Sequence, residues 1–208
     1  MKRSNLLFFL FLILLSCNVM AQERDRRDNS TLHPRFTLQS GDLLFFTGGR
    51  NEMDNAITAS TGNYTHVAMV ERDSTDRVWI IDSSPSHGVR RTLLSEWHCD
   101  VFDLYRLAVP FDTAAVVARA HSFLGQPYDD CFLPNNGKLY CSELIYECFL
   151  DAAGNHLFEA KPMNWRDANG DLPKYWKKHF RKLGMKVPEG VLGTNPTDLS
   201  RSSLLRKL

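Results

Sequence analysis

Two stretches of this chain hold the residues best suited to chemistry. Leu124-Gly125-Gln126-Pro127-Tyr128 is followed, thirteen residues after the tyrosine, by the cysteine of Tyr140-Cys141-Ser142-Glu143-Leu144-Ile145-Tyr146. From Cys141 onward the apolar positions 144, 145, 148, 149 and 152 repeat with the period of one helical face. Gly154 stands where a C-cap glycine belongs, so the spacing predicts a buried helix with Cys141 in its first turn. A thiol there meets the positive end of the helix dipole and unpaired backbone N–H groups, and both stabilise a nucleophilic thiolate. A cysteine on an apolar helix face is also ordinary core filling. A nucleophile therefore requires a base elsewhere in the chain.

Seven histidines are available. His33 falls in a polar N-terminal stretch, His87 and His98 in polar loops, His121 late in a helix, and His156 and His179 in polar surroundings. His66 differs because it opens the apolar, β-rich run Val67-Ala68-Met69-Val70, where a sheet would hold its ring rigidly. Structural hydrogen bonding at a strand end is the alternative role for it. If 66–71 and 77–82 form a hairpin with a three- or five-residue loop centred on Ser74, paired residue numbers sum to 148 and His66 faces Asp82. Directly opposed residues share a face with Cβ atoms about 4.5–5.5 Å apart, close enough for a carboxylate to orient an imidazole. A four-residue loop would place the two on opposite faces. Glu71, Asp73 and Asp76, nearer the hairpin tip, read as solvated.

The elements that must position these residues fall into two textures. Ser40-Gly41-Asp42 turns into the apolar strand Leu43-Leu44-Phe45-Phe46, followed by a polar loop from Thr47 to Asn55. The strands of 65–71 and 77–82 come next, and 101–107 adds another. Asp112 is an N-cap for a helix from Thr113 to Leu124 that Gly125 stops, a loop leads to the Cys141 helix, and helical pattern returns from Tyr175 to Lys182. Strands first and helices afterwards predict an α+β fold, with a small antiparallel sheet or barrel from the N-terminal half packed on helices from the C-terminal half.

Met1-Lys2-Arg3, the apolar run Leu6 to Leu15 and the exit Val19-Met20-Ala21 have the layout of a secretory signal peptide over residues 1–21. Cleavage after Ala21 would release a chain with no transmembrane helix. Leu14-Leu15-Ser16-Cys17 alternatively matches a lipobox, which would leave a lipid anchor at Cys17. Both readings place the protein outside the cytoplasm, in the periplasm or cell envelope. Residues 22–36 read as a flexible linker, and 37–208 as one domain. Lysine and arginine number 25 against 24 acidic residues, which leaves no electrostatic footprint for nucleic acid, and the basic run from Lys174 to Lys186 reads as a solvated helix face or tail. Cys99, Cys131, Cys141 and Cys148 follow the leader without a paired C-x-x-C, so no metal site is expected. Cys141 and Cys148 lie roughly 10 Å apart along a helix and cannot bond to each other.

Taken together, Gly125-x-Pro127-Tyr128, Tyr140-Cys141-Ser142-x-Leu144, Gly41 to Phe46, Thr65 to Val70 and Trp79-Ile80-Ile81-Asp82-Ser83 resemble the NlpC-type papain-like cell-wall amidases. In the standard order of that superfamily the cysteine helix comes first. Here it follows the strands, which resembles the circularly permuted, YiiX-like branch related to the lecithin retinol acyltransferase-like enzymes. The resemblance spans about residues 38–153, with a familiar tail from Pro188 to Pro196. It implies a permuted papain-like fold with Cys141 as nucleophile, His66 as general base and then acid, Asp82 as the orienting residue, and Tyr128 near the nucleophile, binding substrate or the oxyanion. Aspartate departs from the histidine or glutamate common at the third position.

The expected function is an exported cysteine hydrolase, cofactor-free, that cleaves an amide bond in peptidoglycan stem peptides or similar short peptides through an acyl-enzyme. Two alternatives stand beside it: a lipid-directed acyltransferase or esterase using the same cysteine, and an inactive binding protein on the same fold. Oligomeric state is not legible.

Overall fold

A computed structural model describes residues 37–48, 51–97 and 101–208. The leader, Cys17, the 22–36 linker, His33, His98 and Cys99 lie outside the described residues.

The apolar run after Asp42 forms β1 (Leu43–Thr47), a strand whose first four residues are all buried because both of its faces are covered. It lies inside a six-stranded antiparallel sheet of order β4-β3-β2-β1-β5-β6, made with β2 (Tyr64–Arg72), β3 (Val78–Ser84), β4 (Gly88–Leu93), β5 (Asp103–Leu107) and β6 (Leu205–Lys207). On one face Leu43, Phe45, Val67, Met69 and Ile81 pack with Val116 and Ala120 of α2 (Thr113–Ser122) and with Leu144, Ile145 and Cys148 of α3 (Cys141–Cys148). On the other, Leu44, Phe46, Ala68, Val70, Ile80 and Leu104 close against Leu38, Leu94, Trp97 and Phe102. Strands ahead of helices thus build the expected α+β architecture, although residues 205–207 return to add β6 beside β5.

A third, mostly aromatic cluster joins α1 (Glu52–Thr61) and α4 (Lys174–Lys182) to the loop before α3, through Phe132, Tyr140, Trp165, Trp176 and Phe180. Trp176 and Phe180 are 2% and 1% exposed. Burying each such side chain is worth roughly 2 kcal/mol.

The structure departs from the sequence reading in four places. The polar loop after β1 gives way to α1, whose start is set by Asn51 accepting the Asp54 N–H at 2.9 Å. α3 ends at Cys148, short of positions 149 and 152. The Phe149 carbonyl accepts the Leu157 N–H at 2.8 Å and Leu150 bridges to His156, so tertiary pairing takes over the backbone, and Gly154 sits in the 151–155 turn. Glu71 is buried rather than solvated, held by Arg91 at 2.7 and 2.9 Å and by His121 at 2.8 Å. Its carboxyl is accordingly lowered: burial alone would raise it, and the bonds from Arg91 and His121 overcome that.

The fourth difference is the register of the β2–β3 hairpin. Met69 pairs with Ile81 and Arg72 with Val78, so paired numbers sum to 150 and the loop centres on Thr75. The Asp73 carboxylate builds this loop by accepting the N–H groups of Thr75 and Arg77 and the indole N–H of Trp79 at 2.9, 3.1 and 2.8 Å. His66 therefore does not face Asp82 directly. The loop keeps odd length, so the two still share a face, offset by one diagonal.

Candidate active site

Cys141 is the first residue of α3, with Tyr140 as its N-cap, and is 6% exposed. Its N–H and that of Ser142 belong to the first turn, where no intrahelical acceptor exists. The segment entering the helix is pinned from two sides. Ser83 of β3 donates to the Leu139 carbonyl at 2.6 Å, and the Leu139 N–H bonds the Pro127 carbonyl at 3.2 Å. The second bond folds the 127–139 loop back on itself and brings Tyr128 to the nucleophile. Asp129, fully buried, holds that loop by accepting the Cys131 and Leu133 N–H groups at 2.9 and 2.7 Å. Cys131, Cys141 and Cys148 are all free thiols.

β2 delivers the histidine. Phe46 pairs with His66 but Thr47 pairs with Tyr64, so Thr65 is the extra residue of a bulge immediately before His66. Bulges re-aim side chains at sheet edges, and Thr65 lines the pocket beside Cys141. His66 Nε2 lies 3.2 Å from Asp82 Oδ2, leaving Nδ1 for the Cys141 sulfur. Asp82 is 2% exposed and the His66 side chain 25%. Burial opposes a charge on this ring, but the neighbouring Cys141 sulfur and the Asp82 carboxylate outweigh it, and the His66 pKa is pushed up to about 10.

Asp82 has a second partner that the sequence reading missed. Arg90 is its direct cross-strand neighbour on β4, with Nε 3.6 Å from Oδ1, and its guanidinium lies over the Trp97 ring at 5.5 Å. The signal was absent because β4 follows a Pro-Ser-His turn and shows little apolar alternation.

Tyr128 is 9% exposed and meets Phe132 edge-on at 6.1 Å. Burial and then the neighbouring Cys141 sulfur hold its phenol protonated well above the ordinary value, which keeps it a hydrogen-bond donor. Cys141, His66, Asp82 and Tyr128 are thus gathered at one site, by α3, β2, β3 and the loop before α3.

The pocket beside Cys141 is narrow, with a cavity volume of about 50 Å³. Its walls include Phe132, Met163, Trp165 and Trp176, with Thr194, Asn195 and Pro196 from the C-terminal segment, and among the described residues no Asp, Glu, Lys, Arg or His lines it. Tyr140 ties that segment to the nucleophile helix by accepting the Thr194 N–H at 3.0 Å. Ser142 Oγ and Thr194 Oγ1 are buried lining groups without hydrogen-bond partners. The tryptophans escaped the sequence reading because they come from segments distant in the chain.

A thiol at a helix N-terminus, a charged imidazole against it and a buried carboxylate behind make a constellation suited to acyl transfer. A family model described as permuted papain-like amidase enzyme, YaeF/YiiX, C92 family, matches residues 37–208. The chain belongs to that family. This C92 protein is a cysteine amidase of permuted papain-like fold, with its sheet strands β1 to β5 ahead of the Cys141 helix. The crystal structure of metalloprotein YiiX from Escherichia coli O157:H7 is similar to it, with a TM-score of 0.71 and 20% identity over 83% of this chain and 97% of that one. A search of curated protein sequences returned no match. Among the described residues of the C92 amidase, no group of three or more His, Cys, Asp or Glu side chains is disposed to hold a metal ion.

Proposed function

We propose that the protein is an exported amidase that cleaves short peptides of the cell-wall stem type through Cys141, His66 and Asp82. The observation that carries this reading is the His66 ring placed between the Cys141 thiol and the buried Asp82 carboxylate, with its proton held up to about pH 10. Export rests on the basic, apolar and small-residue layout of residues 1–21.

The Cys141 thiolate adds to the scissile carbonyl carbon, and the C=O electron pair moves onto oxygen. The Cys141 N–H and the Tyr128 hydroxyl donate to this oxyanion. The tetrahedral intermediate collapses, the C–N bond breaks, and the His66 imidazolium gives its proton to the departing amine. Neutral His66 then takes a proton from water, hydroxide attacks the thioester, and the C–S bond breaks to release the carboxylic acid and restore the ion pair. Asp82 keeps the ring oriented throughout.

The uncharged pocket narrows the substrate. Burying an unpaired charge against Trp165, Trp176 and Phe132 is costly, so the group bound there is neutral and apolar, with Ser142 and Thr194 hydroxyls ready to bond its amide. The same observation favours one second reading, a lipid acyl group in the pocket. Incubating the enzyme separately with muropeptides and with N-acyl or O-acyl lipids, and measuring released amines and fatty acids, decides between them. Intact muropeptides beside cleaved lipids would sink the peptide reading, and no turnover of either would sink the hydrolase.

A further inference from the structure

Eight described cations of this chain, Arg72, Arg77, Arg90, Arg91, Arg106, Arg166, Arg201 and Lys207, each lie within ion-pair distance of a carboxylate. Arg119, Lys138, Lys161 and Arg206, scattered over the described residues, make no such ion pair, and the other unpaired cations are concentrated on and just after helix α4. Lys174, Lys177, Lys178 and Arg181 recur at the i, i+3, i+4, i+7 spacing of one face, Lys182 and Lys186 extend it, and all six are exposed. Among the described residues none of the six makes an ion pair. Glu52 shares a cleft with Lys174 and Lys178, and Asp130 and Asp54 act on Tyr175 of the same helix, without forming an ion pair with any of the six. Glu189 is taken by Arg166. The opposite face of α4 is fixed in the aromatic cluster by Trp176 and Phe180, so the helix is a rigid mount whose charge points outward.

We propose that this face docks the protein on an anionic phospholipid bilayer. A neutral chain overall that concentrates unpaired cations on one amphipathic helix is complementary to a negative surface. Two features select a bilayer among negative surfaces. Leu183, directly after the helix and beside Lys182, is 40% exposed, an apolar tip bordered by cations, as on helices that settle at the headgroup boundary. Nucleic acid would gain from exposed aromatic rings for base stacking, yet Trp176 and Phe180 are buried and Tyr175 stacks on His179 at 5.6 Å. Trp176, on the inner face of the same helix, lines the Cys141 pocket, so the pocket lies behind the docked helix. The inference goes beyond the catalytic reading and does not depend on Cys141.

The test is sedimentation of the full chain with vesicles of phosphatidylcholine alone and of an equimolar phosphatidylcholine–phosphatidylglycerol mixture. The difference between the two isolates charge from any effect of the apolar N-terminal run. Binding to the anionic vesicles is expected to be at least about tenfold stronger and to weaken with salt, since each basic residue near such a surface contributes roughly fivefold. The triple variant Lys177→Gln, Arg181→Gln, Lys182→Gln is then expected to lose roughly 100-fold, with its thermal midpoint and thiol reactivity unchanged. Leu183→Ser should weaken vesicle binding while leaving retention on heparin unaltered. Equal binding to both vesicles, or a triple variant that binds like the parent, overturns the proposal. Heparin retention that outlasts vesicle binding as salt rises, together with indifference to Leu183→Ser, overturns it in favour of an anionic polymer.

Discussion

His66 and Asp82 meet on a diagonal across two strands, with Nε2 and Oδ2 3.2 Å apart, because a five-residue loop centred on Thr75 shifts the hairpin one dyad from direct opposition. The diagonal suits a longer reach across the pleat and leaves Oδ1 turned toward Arg90. Replacing Asp82 by Asn keeps the shape but lets the amide donate where the ring must, disturbing tautomer and orientation. Asp82→Asn is expected to lower kcat by roughly 100-fold with KM within about twofold, as steady-state kinetics on a cleaved substrate would show.

Cys141→Ala and His66→Ala are each expected to remove nearly all turnover while both variants still fold, as a cooperative unfolding transition would show. The sign of the pH dependence follows from His66. Its pKa is raised to about 10, so the imidazolium against Cys141 is present at neutral pH and is lost as pH rises through about 10. Iodoacetamide should therefore modify Cys141 rapidly at pH 6, and turnover should fall on the alkaline side. The stability contributed by this pairing is complete below the unfolded histidine value of about 6.5 and declines from there through pH 10. Labelling of Cys141 in His66→Ala at pH 6 should be slower by roughly 100-fold.

Arg90 is a positioning residue for Asp82. At 44% exposure its attraction is screened by solvent, so a modest effect is expected. Arg90→Gln should lower kcat by roughly threefold, leave KM unchanged and move the alkaline limb toward higher pH, because a cation beside the Asp82–His66 pair opposes the imidazolium, and high salt should reproduce part of the loss in the parent. A change confined to thermal stability would remove Arg90 from the site.

Glu143 is the third residue of α3, with its carboxylate accepting the Tyr140 N–H at 3.4 Å, and burial followed by the nearby Asp129 pushes its pKa up to about 8. A carboxyl raised on folding binds more protons in the folded than in the unfolded chain between pH 4.5 and about 8, so it lowers stability as pH rises through that window. Glu143→Gln is expected to flatten that dependence, which amounts to at most about 1.4 kcal/mol per pH unit. Denaturant unfolding at pH 5 and pH 8 measures it, and equal slopes in parent and variant would refute it.

Gly88 holds the start of β4 against the loop that carries Tyr128. Its φ is +66°, and a Cβ there would stand 2.1 Å from the Gln126 carbonyl oxygen. Gly88→Ala is expected to destabilise the fold by about 1–3 kcal/mol and to lower activity by displacing Pro127 and Tyr128. Thermal unfolding and kcat measured on the same preparation test both parts.

Local chemistry announces itself in one dimension. The apolar period that starts at Cys141, the β-rich run after His66 and the Asp112 cap all depend on neighbours within a turn or a pleat, and the helix, strand and cap they predict are present. Parity also survives in the sequence: an odd loop between β2 and β3 suffices to put His66 and Asp82 on one face, whatever its centre. Which residue lies opposite which does not survive, because Asp73 chooses the loop through side-chain bonds to Thr75, Arg77 and Trp79 that no periodicity encodes. Helix α3 stops at Cys148 for a similar reason, since pairing of Phe149 with Leu157 competes with the helical bond, and only the packed chain sets that balance. The pocket is wholly a product of tertiary structure. Trp165, Trp176 and Thr194 come from segments with no mutual spacing, and they converge on Cys141 because aromatic burial and the bond from the Thr194 N–H to Tyr140 bring distant segments together. The candidate nucleophile and its candidate base were therefore legible in the sequence, while the oxygen each bond reaches and the uncharged wall beside Cys141 were decided by the fold.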